Sequence, residues 1–171
     1  MIVRIEGSEP ELAEDVWVHE SAYVIGDVAI GAESSIWFHC VVRGDIERVR
    51  IGRRTNVQDL SVIHVRHDGR PTILGDRVTV GHRVVLHGCT IADDVLVGIG
   101  AIVLDGVEIG TETLVGAGSL VTPFTKIPPR SLVLGSPAKV VRPLRDDEIA
   151  FIHESADNYV GYAARYRRVG L

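Results

Sequence analysis

The chain has two cysteines in 171 residues, too few for a disulfide framework. Cys40 and Cys89 both fall where small residues recur in a repeat, so we expect buried free thiols. No apolar run reaches the ~18 residues that read as a membrane-spanning helix. The opening stretch, MIVRIEGSEPELAED, has no cationic segment followed by an apolar one, so no secretory leader is expected. A cytoplasmic protein follows from these absences. Nor is there a basic block: around residues 43–54 the arginines alternate with acids and apolar residues, and the net charge is −5. Nucleic acid and anionic membranes are therefore not expected partners. Aromatic residues make up only 5% of a chain that is 46% hydrophobic and holds 18 glycines. Such a core is built from Val, Ile and Leu in thin layers.

What the chain does have is a period of six. Aliphatic markers stand at Val24, Ile30, Ile36 and Val42, then Ile51, Val57 and Ile63, then Leu74, Val80 and Leu86. A last series runs Ile91, Val97, Val103, Ile109, Val115 and Val121. Self-similarity of this kind marks a β-solenoid. Three hexads would close one triangular coil, giving five to six coils over residues 18–121, with residues 18 apart stacked on adjacent rungs. Small or β-branched residues four after the marker (Ala22, Ser34, Cys40, Ser61, Val84, Ala101 and others) should point inward with it. Glycine often follows the marker, as at Gly31, Gly52, Gly75 and Gly98, and is expected to supply the positive φ of a tight corner. After Val121 the pattern decays, and from about Arg145 the period turns helical. Ile149, Ile152, Ala156, Tyr159 and Ala163 make an apolar stripe, with Asp146, Asp147 and Glu148 in the first turn and Arg165, Arg167 and Arg168 in the last. The expected organisation is a mainly β chain: a parallel solenoid over 1–144, with an edge strand near Val3 and Ile5, then a helix over 145–171 packed on the solenoid.

The period breaks in three places. Val42 to Ile51 is nine residues, Ile63 to Leu74 eleven, and Leu86 to Ile91 five. Two of these breaks flank histidines. His64 and His87 are 23 apart; subtracting the five inserted residues leaves 18, so they are rung neighbours, each directly after a marker. Rungs lie ~4.8 Å apart, which lets two imidazoles converge on one ion. His82 follows Gly81 in another hexad and faces elsewhere, so a metal held by all three needs two chains. Three neutral imidazoles plus a water form a familiar catalytic zinc set, in which the water loses its proton near pH ~7. Arg43 occupies the same column, since 64 − 43 is 21, less three inserted residues. Asp45 is its nearest acidic partner. Asn56, Gln58 and Asp59 precede His64 by one hexad. They are either turn residues or groups that orient a reacting oxygen and hold an imidazole's second nitrogen.

Val42-Arg43-Gly44-Asp45, Asn56-Val57-Gln58-Asp59, Val62-Ile63-His64, Val80-Gly81-His82 and Leu86-His87-Gly88-Cys89 together resemble the γ-class carbonic anhydrases, in their short bacterial branch. The resemblance implies a left-handed parallel β-helix and a homotrimer with zinc at each subunit interface; ferrous iron and cobalt suit three imidazoles as well. It implies that His64 and His87 come from one chain and His82 from its neighbour. By the same resemblance Gln58 orients the metal-bound hydroxide or carbon dioxide, Asn56 lies nearby, Arg43 and Asp45 pair across the interface, Asp59 is structural, and Tyr159 reaches towards the site. The implied reaction is reversible hydration of carbon dioxide to bicarbonate. Two departures argue against fast turnover. Ile46 follows Asp45 where active members carry a glutamate, and the loop 65–71 is short, offering His67 and Asp68 in place of a longer acidic loop with its glutamate. His67, with an ordinary pKa near ~6.5, is the candidate proton shuttle; alternatively it is a solvated loop residue. Two other readings compete. Gly135-Ser136-Pro137-Ala138-Lys139-Val140-Val141-Arg142 resembles a segment of hexapeptide-repeat acyltransferases, and thioester hydrolysis by the same metal site is a related variant. The missing acidic loop also suits a non-catalytic, metal-bound trimeric scaffold.

Overall fold

A computed structural model describes residues 1–170. Its strands are short because each hexad supplies only one straight edge of a triangular coil. One face stacks Trp17–Val18, Ser35–Ile36, Asn56–Val57, Thr79–Val80, Leu96–Val97, Leu114–Val115 and Ser131–Gly135, all parallel. The other two faces belong to one sheet, because the long strands Tyr23–Ile30 and Val41–Ile51 run round a corner and pair on both sides of it. Val41–Ile51 pairs through residues 41–42 with Val62–His64, and through residues 49–51 with Thr72–Leu74. The three residues inserted after Val42 are thus absorbed by a strand that turns a corner.

The markers form the core. Val24, Val42, Ile63, Leu86, Val103 and Val121 stack in one column and are fully buried, as are Ala22, Cys40, Ser61, Val84, Ala101 and Ser119 beside them. The solenoid also runs further than its pattern suggests. Lys126–Ile127 and Ser131–Gly135 continue the stacks, Ile127 and Val133 are buried, and the first face therefore has seven rungs rather than five to six. The apparent decay after Val121 comes from Phe124, Pro128 and Pro129, which occupy outward or corner positions that the core leaves unconstrained.

The expectation about glycine needs correcting. Positive φ falls three residues after the marker, on Glu33, Arg54, Arg77, Asp94, Glu112 and Arg130 (φ 50–60°), and only occasionally on glycine, as at Gly100. Glycine directly after the marker answers rung spacing instead. A Cβ on Gly98 would stand 2.6 Å from the Ala117 nitrogen of the next coil, and one on Gly52 would stand 2.4 Å from the Gly75 carbonyl carbon.

The helix Asp146–Arg168 lies along the seven-rung face, with Ile149, Ile152 and Leu144 packed on Leu96, Leu114 and Leu132. Its far end closes over Trp17, Trp37 and Phe38 through Ala163, Tyr159 and Tyr166. The left-handed corner residues stack into a charged column, and the helix answers it residue by residue. Arg167 meets Asp15 at 3.3 Å, Asp157 meets Arg54 at 3.0 Å and Arg77 at 3.3 Å, His153 meets Asp94 at 3.5 Å, and Asp146 meets Arg130 at 3.1 Å. Among the described residues no helix is long and apolar enough to cross a membrane.

Candidate metal centre

His64 and His87 are direct register partners on adjacent rungs, as the corrected spacing requires, and Arg43 extends their column by one rung through the pairing of Val42 with Ile63. Nδ1 of His64 stands 3.2 Å from Nε2 of His87. The outer nitrogen of each ring meets a carboxylate: Nε2 of His64 lies 3.0 Å from Asp45 Oδ1, and Nδ1 of His87 lies 2.6 Å from Asp105 Oδ1. A carboxylate at neutral pH only accepts hydrogen bonds, so each holds the ring's proton on its own side. Both facing nitrogens are then lone pairs. Two lone pairs at this distance repel unless a proton or a metal ion lies between them. Their separation is close to the ~3.3 Å that tetrahedral zinc with ~2.05 Å bonds sets between ligand nitrogens. The donor set fits a borderline-soft divalent ion, and the carboxylates behind it have the usual outer-shell arrangement.

The local field shapes the charge of this pair. Burial works against ionisation of Asp45, but hydrogen bonds from His64 and Arg43 outweigh it and hold the carboxyl below its ordinary range. Burial, with Arg43 and His87 adding, lowers His64 from its ordinary value despite the hydrogen bond to Asp45, which favours the neutral imidazole. Arg43 contacts Asp45 within the same chain. Thr72, at the end of the inserted loop, donates its hydroxyl to the His64 carbonyl and accepts from the Gly88 amide at 2.9 Å, which ties the two histidine strands together.

The remaining predicted residues gather on the other face. Asp59 is the rung neighbour of His82 and lies 2.7 Å from its Nδ1, and the His82 side chain is 41% exposed. Gln58 and Asn56 are buried on the same face: Gln58 Nε2 donates to Asn56 Oδ1 at 3.1 Å, and Asn56 Nδ2 donates to Thr79 Oγ1 at 3.0 Å. Tyr159 sits edge-on to Trp37, and together with His82, Asp59, Phe38 and Tyr166 they line a cavity of about 590 Å³ under the helix. Burial first, and the charge of Asp59 second, push the Tyr159 phenol up to about 12, so it stays a donor. His67 is exposed at the tip of the loop that follows His64. Thus Arg43, Asp45, His64 and His87 come together, while Asn56, Gln58, Asp59, His82 and Tyr159 form a second group. Among the described residues no three His, Cys, Asp or Glu side chains of one chain are arranged to hold a metal ion. Asp105, Arg66 and Thr72 were missed by sequence reasoning; only Asp105 left a signal, standing 18 residues after His87.

One more feature borders the histidines. Tyr23, Val41, Val62, Val85, Ile102 and Leu120 are in register on the outer face, two residues before the His64–His87 column. Tyr23, Val62 and Ile102 are more than a third exposed.

The family described as bacterial transferase hexapeptide (six repeats) matches residues 88–123. A Bacillus cereus crystal structure described as a putative acetyltransferase superposes with a TM-score of 0.96 at 42% identity, covering 98% of this chain and 97% of the other. The solenoid and this family match therefore define a hexapeptide-repeat protein of the left-handed β-helix class. Gamma carbonic anhydrase 2, mitochondrial, of Arabidopsis thaliana is 47% identical over 167 residues, or 95% of this chain. The chain spans 60% of that plant protein's length. The probable carbonic anhydrase of Methanocaldococcus jannaschii is 53% identical over 149 residues, covering 87% of this chain and 93% of that protein. The chain belongs to the γ-carbonic anhydrase family.

Proposed function

We propose that this protein is a metal-dependent lyase that interconverts carbon dioxide and bicarbonate, working as a homotrimer with its metal sites between subunits. The observation that carries this reading is the pair of lone-pair nitrogens of His64 and His87, 3.2 Å apart with their outer nitrogens held by carboxylates. His64 and His87 of one chain and His82 of the next would hold zinc, or ferrous iron or cobalt, which suit the same donors. When bound, such an ion makes hydroxide available from water near neutral pH. The chain's own groups do the rest. Asp59 fixes the His82 ring so that Nε2 points out of its own chain. Asn56 holds the Gln58 amide in place, and Gln58 orients an oxygen of carbon dioxide. Tyr159 supplies a protonated phenol at the cavity wall. Hydration yields bicarbonate and one proton, and His67 carries that proton to solvent. The apolar column from Tyr23 to Leu120 supports the assembly, because burying it between chains brings a partner to the histidine column's edge. Exposed Ile46, where a carboxylate would help proton release, supports slow turnover. Two free buried thiols suit a cytoplasmic location.

The test is subunit mixing. His64→Ala and His82→Ala proteins should each bind almost no zinc and hydrate no carbon dioxide in stopped flow. Refolded together, they should regain zinc at sites pairing an intact His64 with an intact His82. Wild-type protein that holds no zinc, iron or cobalt by elemental analysis would refute the metal reading, and mixtures that recover nothing would refute the shared site.

A further inference from the structure

The third break in the period has a structural consequence beyond shortening a turn. Leu86 to Ile91 is one residue short, so the chain leaves His87 through Gly88 in a left-handed conformation (φ +55°). A Cβ on Gly88 would lie 2.6 Å from Asp105 Oδ1. The carboxylate of Asp105 therefore occupies the space that any other residue's side chain would take, and from there Oδ1 reaches His87 Nδ1 at 2.6 Å. The Gly106 amide donates to the Gly88 carbonyl at 2.7 Å, which fixes Asp105 against the turn. Its second oxygen faces Arg66 at 3.4 Å. His64, His82 and His87 each carry a carboxylate, but those of Asp45 and Asp59 lie inside motifs already noted, whereas Asp105 comes from the next coil.

We propose that Asp105 is a positioning residue for the metal centre: it holds the proton of His87 on Nδ1 and thereby presents Nε2, the nitrogen facing His64, as a ligand. The assignment rests on the metal-binding reading above. Without Asp105 the His87 ring would be free to carry its proton on Nε2 and to rotate away from the column. Loss of such an outer-shell partner weakens metal binding by ~10–100-fold. The alternative is that Asp105 merely clamps the 65–71 loop through Arg66, and the two roles separate by mutation.

The experiment uses the full-length protein and zinc itself. Zinc affinity is measured by chelator competition for wild type, Asp105→Ala, Asp105→Asn and Arg66→Ala, and the His87 tautomer is read by ¹⁵N NMR of the metal-free proteins. Asp105→Ala should weaken zinc binding by ~10–100-fold and move His87 from Nδ1–H to a mixture of tautomers. Asp105→Asn, whose amide oxygen still accepts from Nδ1–H, should lose less; it also serves if the alanine variant does not fold. Arg66→Ala should bind zinc as wild type does. Full zinc affinity in Asp105→Ala, or an equal loss in Arg66→Ala, would overturn the proposal. Wild-type protein that takes up neither zinc nor iron nor cobalt would overturn the metal reading instead, and an unchanged His87 tautomer in metal-free Asp105→Ala would still refute the role of Asp105.

Discussion

Cys40 and Cys89 show how a narrow core acts on single residues. Each sits inside a coil only a few side chains wide, and burial pushes both thiols up to about 12 from an ordinary 9.0. The sign follows from the acid form being the one favoured inside. The unfolded chain ionises its thiols near 9 and the folded chain does not, so stability falls as pH rises from 9 towards 12. Native protein at pH 8 should not react with a disulfide reagent, and both thiols should react once denatured; absorbance of the released thiolate checks this. That these cysteines are buried and unpaired was legible from their place in the hexad. The charge environment of His64 was only partly legible. Arg43 and Asp45 were visible from their spacing, but Asp45 bonding both Arg43 and His64 required the corner turned by residues 43–48. Asp105 was not singled out, because a residue 18 positions away gains meaning only when its turn and Gly88 bring it to the ring.

At the level of elements, two kinds of glycine perform different tasks, and substitution should tell them apart. Gly98→Ala drives a methyl into the backbone of the next coil, with atoms 2.6–2.8 Å away and no flexible side chain to yield. Gly100→Ala meets nothing within 4 Å and bears only its left-handed backbone (φ +69°), worth about 1–2 kcal/mol. Denaturant unfolding at fixed protein concentration should rank Gly98→Ala as the more damaging. The helix was foreseen from its stripe and charge asymmetry, and the structure places it at Asp146–Arg168. Its register on the solenoid was not foreseen. The corner residues Asp15, Glu33, Arg54, Arg77, Asp94, Glu112 and Arg130 look unpatterned in sequence and form a column only after the insertions are absorbed. Asp157 bridges two of them. Asp157→Ala should lower the melting temperature modestly, by less than about 1 kcal/mol of stability, and the difference from wild type should shrink at high salt. At the helix start, hydrogen bonds from the Arg142 side chain and then the Arg145 amide hold the Glu148 carboxyl at about 2. This tie between Arg142, on the strand Ala138–Pro143 that pairs antiparallel with Ser131–Gly135, and the helix start is complete above the ordinary value of 4.5 and is lost as pH falls towards 2, which a carboxyl-carbon NMR titration of Glu148 should trace.

For the whole molecule, the division of candidate site residues between two faces of one prism is the controlling fact. A single chain offers two converged nitrogens on one face and a third, His82, on another. Metal binding and assembly should therefore be linked. Zinc should raise the melting temperature of wild-type protein, since a ligand bound only by the native state adds ~2.7 kcal/mol at a hundred times its dissociation constant. His82→Ala should keep the same far-ultraviolet circular dichroism, because that ring is partly exposed and outside the core, yet its melting temperature should no longer respond to zinc. The solenoid, its coil length, the stacking of His64 on His87 and the exclusion of His82 from their face all follow from a period of six and from counting its interruptions. Strand register in a solenoid is a local property, fixed by the length of one coil, so arithmetic on the chain is enough. Which nitrogen of each imidazole faces inward, which carboxylate stands behind it, and where the helix lies along the corner depend on side chains from different coils meeting across inserted loops. Those contacts have no period, and they appear only when the coils are stacked.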